Sequence, residues 1–324
     1  MPADLAVADR PWLTLPQLQG APQLVDAGDG LDDLFDLTER SAFTLARVEA
    51  DGTLTTWRWR DTGAQGFYPA STIKWITGAL SLLWADDHGL PLDAVVQVGD
   101  DPPVPYRDLL LGMLTMSDND HFNTLQEAVG FAETRDALLA WGVNDGLIRR
   151  NFKRPRFSHS RQVRLWVDGQ ARAVIRARPT PEIPLNPNYD GNAESNYFTP
   201  DDFIRAGAAT LMRPEFRNTR HFETFVAGLA YTNQCYTRLG LARVTAELDE
   251  RPAFVVLNKP GWWPPDGAIS ELCYIYDVRQ GSHYFLAVYA HGTQDQAKQN
   301  VSNAAHAVFR AIHAGQLVSE RPDA

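Results

Sequence analysis

Cysteine is scarce in this 324-residue chain: Cys235 and Cys273 are the two present, and they do not form a CxxC pair. This count excludes a disulfide framework and a thiolate zinc site, and it leaves open whether the two residues form a single bridge. The eight histidines are scattered and none belongs to an HExxH sequence, which argues against a zinc hydrolase. We therefore expect neither a metal site nor a cofactor.

Long apolar runs and an excess of positive charge are also missing. No apolar stretch is long enough to span a bilayer. No signal peptide is visible, so we expect a cytoplasmic protein if Met1 is native and a periplasmic or secreted one if this is a mature form. The net charge of −10 argues against a nucleic-acid partner, because phosphate contacts need a basic surface. A basic run at 149–161 is interpreted as a solvated loop, with an anion-binding patch as the alternative.

The composition of the chain, with 44% hydrophobic and 22% charged residues, is typical of a globular protein. Strand patterns occupy both end regions and helical patterns dominate the middle, apart from a hairpin pattern around 163–175. This order predicts an α/β (α+β) fold with an antiparallel sheet from both chain ends, flanking helices and an inserted all-helical lobe. We place the α/β lobe at 1–68 plus 225–324, and the helical lobe at 69–224 with an extended loop insertion at about 151–197. A short amphipathic helix is predicted at 31–40.

Ser71 and Lys74 begin the most apolar helical pattern of the chain, which should be buried centrally. Residues three apart share a helix face, so the Lys74 amine would lie beside the Ser71 hydroxyl. A serine is a good nucleophile when a neighbouring base removes its proton, and a lysine is such a base when burial and positive potential lower its pKa. The alternative is an N-cap serine followed by a surface lysine.

Two further short motifs carry polar groups suited to amide chemistry. Ser117-Asp118-Asn119 lies between two helical patterns, where the hydroxyl could relay a proton and the amide could hold a substrate carbonyl. Lys259-Pro260-Gly261 follows an apolar strand pattern, where the lysine could bind a carboxylate and the glycine could let a ligand approach the backbone. The alternatives are a helix N-cap cluster for the first motif and a plain turn for the second.

Together these three motifs resemble, in order, the signatures of the serine β-lactamases and penicillin-binding proteins, and the chain looks most similar to class A β-lactamases. Asn123 is similar to the asparagine that class A enzymes carry on the helix after the second motif. Residues 182–186 read Glu-x-x-Leu-Asn, which resembles the omega loop, and residues 197–200 resemble the segment after that loop. The resemblance runs from about residue 43 to 313 and implies a β-lactamase/transpeptidase-like fold.

The resemblance also implies roles for the residues that match. Ser71 would be the acylated nucleophile, Lys74 its activating partner, and Ser117 the group that passes a proton to the leaving nitrogen. Glu182 would activate the water that hydrolyses the acyl-enzyme. The remaining matches would bind substrate or water, or form the oxyanion hole with the backbone N–H of Ser71: Asn119, Asn186, Lys259, Gly261 and Trp262. Asn123 would be structural.

The resemblance implies a β-lactam-hydrolysing serine enzyme, with a small-molecule β-lactam or peptide-like substrate and a monomeric state. One departure concerns Pro260, where the family usually carries a threonine or serine. Proline removes a hydrogen-bond donor to the substrate carboxylate, which is worth about 1.5–3 kcal/mol. A D,D-peptidase, amidase or esterase is therefore the alternative, as is a non-catalytic penicillin-binding or sensor protein. If Glu182 has no catalytic role, the acyl-enzyme would persist.

Overall fold

A computed structural model of the chain describes residues 11–28, 30–153, 159–179, 195–217, 220–232, 234–248, 253–264 and 267–317. Its strands are β1 Leu24–Asp26, β2 Ala42–Val48, β3 Leu54–Arg58, β4 Val95–Val98, β5 Val104–Pro105, β6 His159–Ser160, β7 Val163–Val167, β8 Gln170–Ile175, β9 Arg178–Pro179, β10 Phe254–Trp263, β11 Ala268–Asp277 and β12 Ser282–Ala290. Its α-helices are α1 Lys74–Asp87, α2 Tyr106–Thr115, α3 Asn119–Val129, α4 Phe131–Ala140, α5 Pro200–Met212, α6 Pro214–Arg217, α7 Arg220–Ala230, α8 Tyr236–Leu248 and α9 Gln294–His313.

The larger sheet joins the two ends of the chain. Its six strands lie in the order β1-β3-β2-β12-β11-β10, antiparallel except for the pairing of β1 with β3. One face packs against α8 and α9, and the other packs against α5. The mixed fold with a sheet from both ends of the chain is confirmed.

The inserted part of the chain contains a second sheet as well as helices. Strands β5, β4, β7 and β8 form four antiparallel strands in that order, and β7 and β8 are the hairpin predicted in the insertion. The hairpin turns at Asp168 and Gly169, both with positive φ, as two-residue hairpin loops require. The lobe predicted as all-helical therefore carries this small sheet on its surface.

Helix α1 lies at the centre of the fold, as its sequence predicts. Its residues are buried on nearly all sides, and it packs against α2, α3, α5 and α7. A helix without a polar face is stable only when other elements cover it completely. The residues at its N-terminus are therefore held rigidly by the surrounding helices.

Two local predictions need correction. Residues 31–40 form turns and not an amphipathic helix, and Asp32 and Asp36 bind the backbone N–H and the guanidinium of Arg60. The apolar strand predicted before Lys259 does not end there, because β10 continues to Trp263 through Pro260. Pro260 is tolerated because β10 is an edge strand, where one side of the backbone needs no ladder hydrogen bond.

Among the described helices, none has the length and apolar character that crossing a bilayer requires.

Candidate active site

A short 3-10 turn, Ala70–Ile73, presents Ser71 at the N-terminus of α1. Ala70 has φ 46°, a left-handed conformation that is strained for a residue with a Cβ. Ser71 is half-buried, and its hydroxyl makes no hydrogen bond to a described residue. The Ser71 side chain is thus partly exposed to solvent at the start of the buried helix, and its hydroxyl is not hydrogen-bonded to a described residue.

Contacts with the edge of the large sheet fix this turn in place. Ser270 on β11 donates to the carbonyl of Pro69 at 2.7 Å and lies 2.8 Å from the Thr72 hydroxyl. A Cβ on Gly261 would lie 2.5 Å from the Pro69 carbonyl oxygen and 2.8 Å from the Thr72 hydroxyl. Only glycine therefore allows β10 to approach the turn so closely.

The residues of the second motif, 117–119, have different roles: one is structural and two face the cavity region. Asp118 is the N-cap of α3, and its side chain accepts hydrogen bonds from the backbone N–H groups of Asp120 and His121. Ser117 has φ 57°, a second strained non-glycine position. Ser117 and Asn119 face Lys74 instead. The capping alternative is therefore correct for the middle residue, while its neighbours face the pocket.

The Lys74 amine is buried among oxygen atoms of that motif. Nζ lies 2.5 Å from the Ser117 carbonyl oxygen, 2.6 Å from Asn119 Oδ1 and 3.3 Å from Ser117 Oγ. Burial, with a further contribution from the charge of Lys259, lowers the pKa of Lys74 to about 6. A neutral amine is therefore far more accessible to Lys74 near pH 7 than to an ordinary lysine.

Lys259 approaches the same hydroxyl from β10. Its Nζ donates to Ser117 Oγ at 3.1 Å and to the Pro260 carbonyl at 2.9 Å. Burial lowers the pKa of Lys259 to about 7, although the nearby carboxylate of Glu271 opposes this shift. The group is therefore divided between its charged and neutral forms near neutral pH.

These distances define a proton path through Ser117. The two carbonyl oxygens nearest Lys74 can only accept hydrogen bonds, so they take both hydrogens of the neutral amine. The remaining lone pair of Lys74 can then accept the Ser117 hydroxyl proton, while Ser117 Oγ accepts from Lys259. Among the described residues, no hydrogen bond joins Ser71 to Lys74 or to Ser117, so the path seen in the structure runs between Ser117 and Lys74.

Glu271 is a site residue that the sequence analysis missed. It is fully buried on β11, and its two oxygens accept from the backbone of Tyr236 and Thr237, the Thr237 hydroxyl and the Asn258 amide. The carboxylate thus caps the N-terminus of α8 and raises the pKa of Lys259. A glutamate alone within an apolar strand sequence is the signal that could have identified it, because buried charges require partners.

The serines and Lys259 open into one cavity of about 210 Å³. It is lined by Ser71, Met116, Ser117, Gln234, Lys259, Pro260, Gly261 and Trp262. Sites for drug-sized ligands measure roughly 300–1,000 Å³, so this cavity encloses little more than the reacting part of a substrate. The rest would lie at the mouth, where Met116 and Trp262 are exposed.

The structure brings most of the predicted site residues together. Ser71, Ser117, Lys259, Gly261 and Trp262 line the cavity, and Lys74 and Asn119 contact Ser117 or each other behind it. Glu182 and Asn186 lie outside the described residues, so their roles stay predictions.

Asn123 lies away from the cavity and holds a neighbouring segment. Its side chain donates to the Phe152 carbonyl and accepts from the Phe152 N–H. The Phe152 ring centroid in turn lies 5.0 Å from Lys74 Nζ.

Among the described residues, a second cavity and a group of possible metal ligands also lie outside this cavity. A cavity of about 620 Å³ shares no lining residue with the first, and in it His221 Nδ1 lies 2.9 Å from Asp86 Oδ1. Cys235, Glu271 and Cys273 place two sulfurs and a carboxylate within 4.8 Å of one another. Both cysteines are free thiols whose pKa burial raises, and both carboxylate oxygens already accept hydrogen bonds. This donor set does not favour a cation.

The two lysines predict a bell-shaped dependence of acylation on pH. Lys74 is a base in its neutral form, so the acylation rate should rise about tenfold per pH unit below pH 6 and level off above it. If Lys259 binds a substrate carboxylate, as the sequence predicts, it does so in its charged form, and binding of such a substrate should weaken above pH 7. The rate at which a β-lactam acylates the protein, measured between about pH 5 and pH 9, tests both the rising and the falling part of this profile. A flat profile would contradict the assignment of Lys74 as the base.

Comparison with known proteins identifies the family of the chain. A sequence profile described as the beta-lactamase enzyme family matches residues 54–314. No curated protein matches the chain in sequence.

Solved structures share its fold. A beta-lactamase from Sphaerobacter thermophilus DSM 20745 is 19% identical, with a TM-score of 0.56 over 84% of this chain and 90% of that one. A beta lactamase from Xanthomonas campestris pv. campestris str. ATCC 33913 is 13% identical, with a TM-score of 0.60 over 85% and 93%. PBP-A is 14% identical, with a TM-score of 0.61 over 91% and 99%. At these identities the likeness establishes the fold alone.

Proposed function

Because this chain belongs to the beta-lactamase enzyme family, we propose that it is a serine hydrolase that forms an acyl-enzyme on Ser71. The first candidate substrate is the strained amide of a β-lactam. One observation carries the proposal: the Ser117 hydroxyl lies within 3.3 Å of the Lys74 amine and 3.1 Å of the Lys259 amine, in the cavity that Ser71 enters.

Acylation follows from these positions. Ser71 Oγ forms a bond to the carbonyl carbon, and its proton passes through Ser117 to the lone pair of Lys74. The C–N bond then breaks, and Ser117 delivers a proton to the leaving nitrogen while Lys74 returns its own to Ser117. The backbone N–H groups of Ser71 and Trp262 are the proposed donors to the oxyanion that forms in between.

Substrate recognition rests on Lys259 and is modified by Pro260. The charged Lys259 has three N–H donors, of which Ser117 and the Pro260 carbonyl take two. The third is free to bind a substrate carboxylate. Pro260 adds no hydroxyl and no N–H, so this carboxylate lacks a second donor there.

The Pro260 position supports a second candidate function. A substrate without a carboxylate at that position, such as a neutral amide or ester, loses no contact there, so Pro260 favours an amidase or esterase as the alternative. A D,D-peptidase, whose substrate ends in a carboxylate, would use the same acyl-enzyme step. In either case the proposed acyl-enzyme on Ser71 is the same, and Glu182 is the sequence-based candidate for its hydrolysis.

Intact-protein mass spectrometry with penicillin G tests the proposal. A variant of PBP-A has been solved as an acyl-enzyme complex with penicillin G, which makes this compound a suitable probe. We expect the protein to gain the mass of one penicillin, and peptide mapping to place it on Ser71. An adduct on another residue would contradict the proposal. If no adduct forms and penicillin is not consumed, the proposed function fails.

A further inference from the structure

The two cysteines of the chain meet at the start of α8, beside the larger sheet. Cys235 immediately precedes α8 and is partly buried, whereas Cys273 lies on β11 with no exposed surface. Their sulfur atoms lie within 4.8 Å of each other, and both residues are free thiols. The sequence has no third cysteine, so no other thiol of the chain competes for either sulfur.

The backbone on each side of Cys235 is hydrogen-bonded to residues that flank Cys273. The carbonyl of Gln234 accepts from Asn258 Nδ2 at 3.0 Å, and the N–H of the residue after Cys235 donates to Glu271 at 3.0 Å. Asn258 lies opposite Cys273 in the register of β10 and β11, and Glu271 precedes Cys273 on the same strand. The approach of the two sulfurs is therefore set by the hydrogen bonds of the fold.

Cys235 is the thiol that a reagent from solution meets first. Its Sγ accepts from the backbone N–H of Arg238 at 3.3 Å, as the N-cap side chain of a helix does. Burial raises the pKa of both thiols, but hydrogen bonds from Cys273 and from this N–H oppose the rise at Cys235. Cys235 is thus the more exposed and the more readily ionised of the two, and the thiolate is the nucleophile in thiol–disulfide exchange.

We propose that Cys235 and Cys273 form an intramolecular disulfide when the protein meets a small disulfide such as oxidised glutathione. The Cys235 thiolate forms a bond to one sulfur of the reagent, whose S–S bond breaks to release a glutathione thiolate. The Cys273 thiolate then attacks the Cys235 sulfur of this mixed disulfide, which closes the bridge and releases the second glutathione. Two protein thiols are oxidised, one reagent disulfide is reduced, and the two thiol protons pass to the released glutathiones.

The bridge would join the segment in front of α8 to β11. Gln234, the neighbour of Cys235, lines the cavity, and Glu271 on β11 raises the pKa of Lys259. Oxidation would therefore fix one wall of the cavity to the strand that supports Lys259. The exchange uses neither Ser71 nor a β-lactam, so this inference goes beyond the proposed function and can fail or succeed independently of it.

Mass spectrometry of the native protein after incubation with oxidised glutathione tests the proposal. We expect the wild-type chain to lose the mass of its two thiol hydrogens, to retain no glutathione and to take up no iodoacetamide after unfolding. Dithiothreitol should restore both thiols. The melting temperature of the oxidised form should be higher by about 5–10 °C, because closing a loop of about 40 residues restricts the unfolded chain.

Single serine variants separate the roles of the two thiols. Cys273→Ser should retain one glutathione on Cys235, since no second thiol can displace it. Cys235→Ser should retain none, because the remaining thiol has no exposed surface, and serine should preserve the N-cap of α8. The oxidant should raise the melting temperature of neither variant.

The rate of bridge formation should depend on pH. Because the pKa of Cys235 is raised, its thiolate is a minor species near neutral pH. The rate should therefore increase about tenfold per pH unit between about pH 7 and pH 9. Iodoacetamide uptake by the unfolded protein, measured at successive times, gives this rate.

Four results on the wild-type protein would overturn the proposal, whether or not the variants fold. Glutathione that stays on Cys235 would show that Cys273 cannot reach it. A bridge between two chains, or one that forms only in urea, would show that the native fold does not pair these sulfurs. Two unmodified thiols after prolonged incubation at about pH 8.5 would show that neither sulfur reacts in the native fold.

Discussion

Replacing Ser71 by alanine should abolish the penicillin adduct and lower the rate of β-lactam opening by about 10⁴- to 10⁶-fold, the range seen when the nucleophile of a serine hydrolase is removed. The remaining groups can still polarise the carbonyl, but none of the described residues in the cavity offers an equivalent hydroxyl at the helix N-terminus. Nitrocefin turnover and intact mass measure the two effects. Because the Ser71 hydroxyl makes no hydrogen bond to a described residue, the fold should be retained, which circular dichroism can check.

Ser81→Ala is the matched control for this variant. Ser81 lies on the same helix, and its hydroxyl donates to the Gly78 carbonyl and lies 3.1 Å from the Tyr106 hydroxyl. Its removal should reduce stability by about 1 kcal/mol and leave the adduct in place. A Ser71→Ala protein that still turns over nitrocefin at the wild-type rate would remove Ser71 from the mechanism.

Glu271→Gln should destabilise the protein by about 3 kcal/mol or more, because Glu271 is a fully buried carboxylate with several partners. Its two oxygens accept four hydrogen bonds in the buried space between β10, β11 and α8. An amide replaces one of those oxygens with a donor, which leaves buried donors facing each other. Urea unfolding measures the loss, and Glu223→Gln on the exposed side of α7 should have far less effect.

The same variant should also shift the pH dependence of acylation. The carboxylate of Glu271 raises the pKa of Lys259, so its removal should lower that pKa further below its usual range. Lys259 would then lose its charge at lower pH, and the falling limb of the profile should move toward acid. An unchanged profile together with an unchanged stability would mean that the carboxylate does not support Lys259.

Local patterns in the sequence were sufficient to predict several of the elements observed in the structure. The buried helix α1 and the capping role of Asp118 both depend on residues a few positions apart, where helix and turn preferences act, and the same holds for the hairpin of β7 and β8. The turn at 31–40 is different. Its acidic residues bind Arg60, more than twenty positions away, and this contact outweighs the helical pattern.

The contacts that tune the site could not be predicted in this way. Glu271 and Lys259 lie on neighbouring strands, and the partners of Glu271 come from the start of α8, which the sequence pattern did not reveal. Phe152 belongs to a basic run that was interpreted as a solvated loop, yet its ring is buried against Lys74. Both cases depend on residues that are distant in sequence and meet only in the folded protein.

The absence of a side chain at Gly261 gives the site a mechanical property. The backbone of β10 lies so close to Pro69 and Thr72 that neither can shift without displacing the other. We therefore expect the strand bearing Trp262 and the turn bearing Ser71 to keep a fixed spacing. If the fold loosens, the hydrogen bonds of Ser117 to Lys74 and Lys259 should lengthen before the position of the Ser71 turn changes.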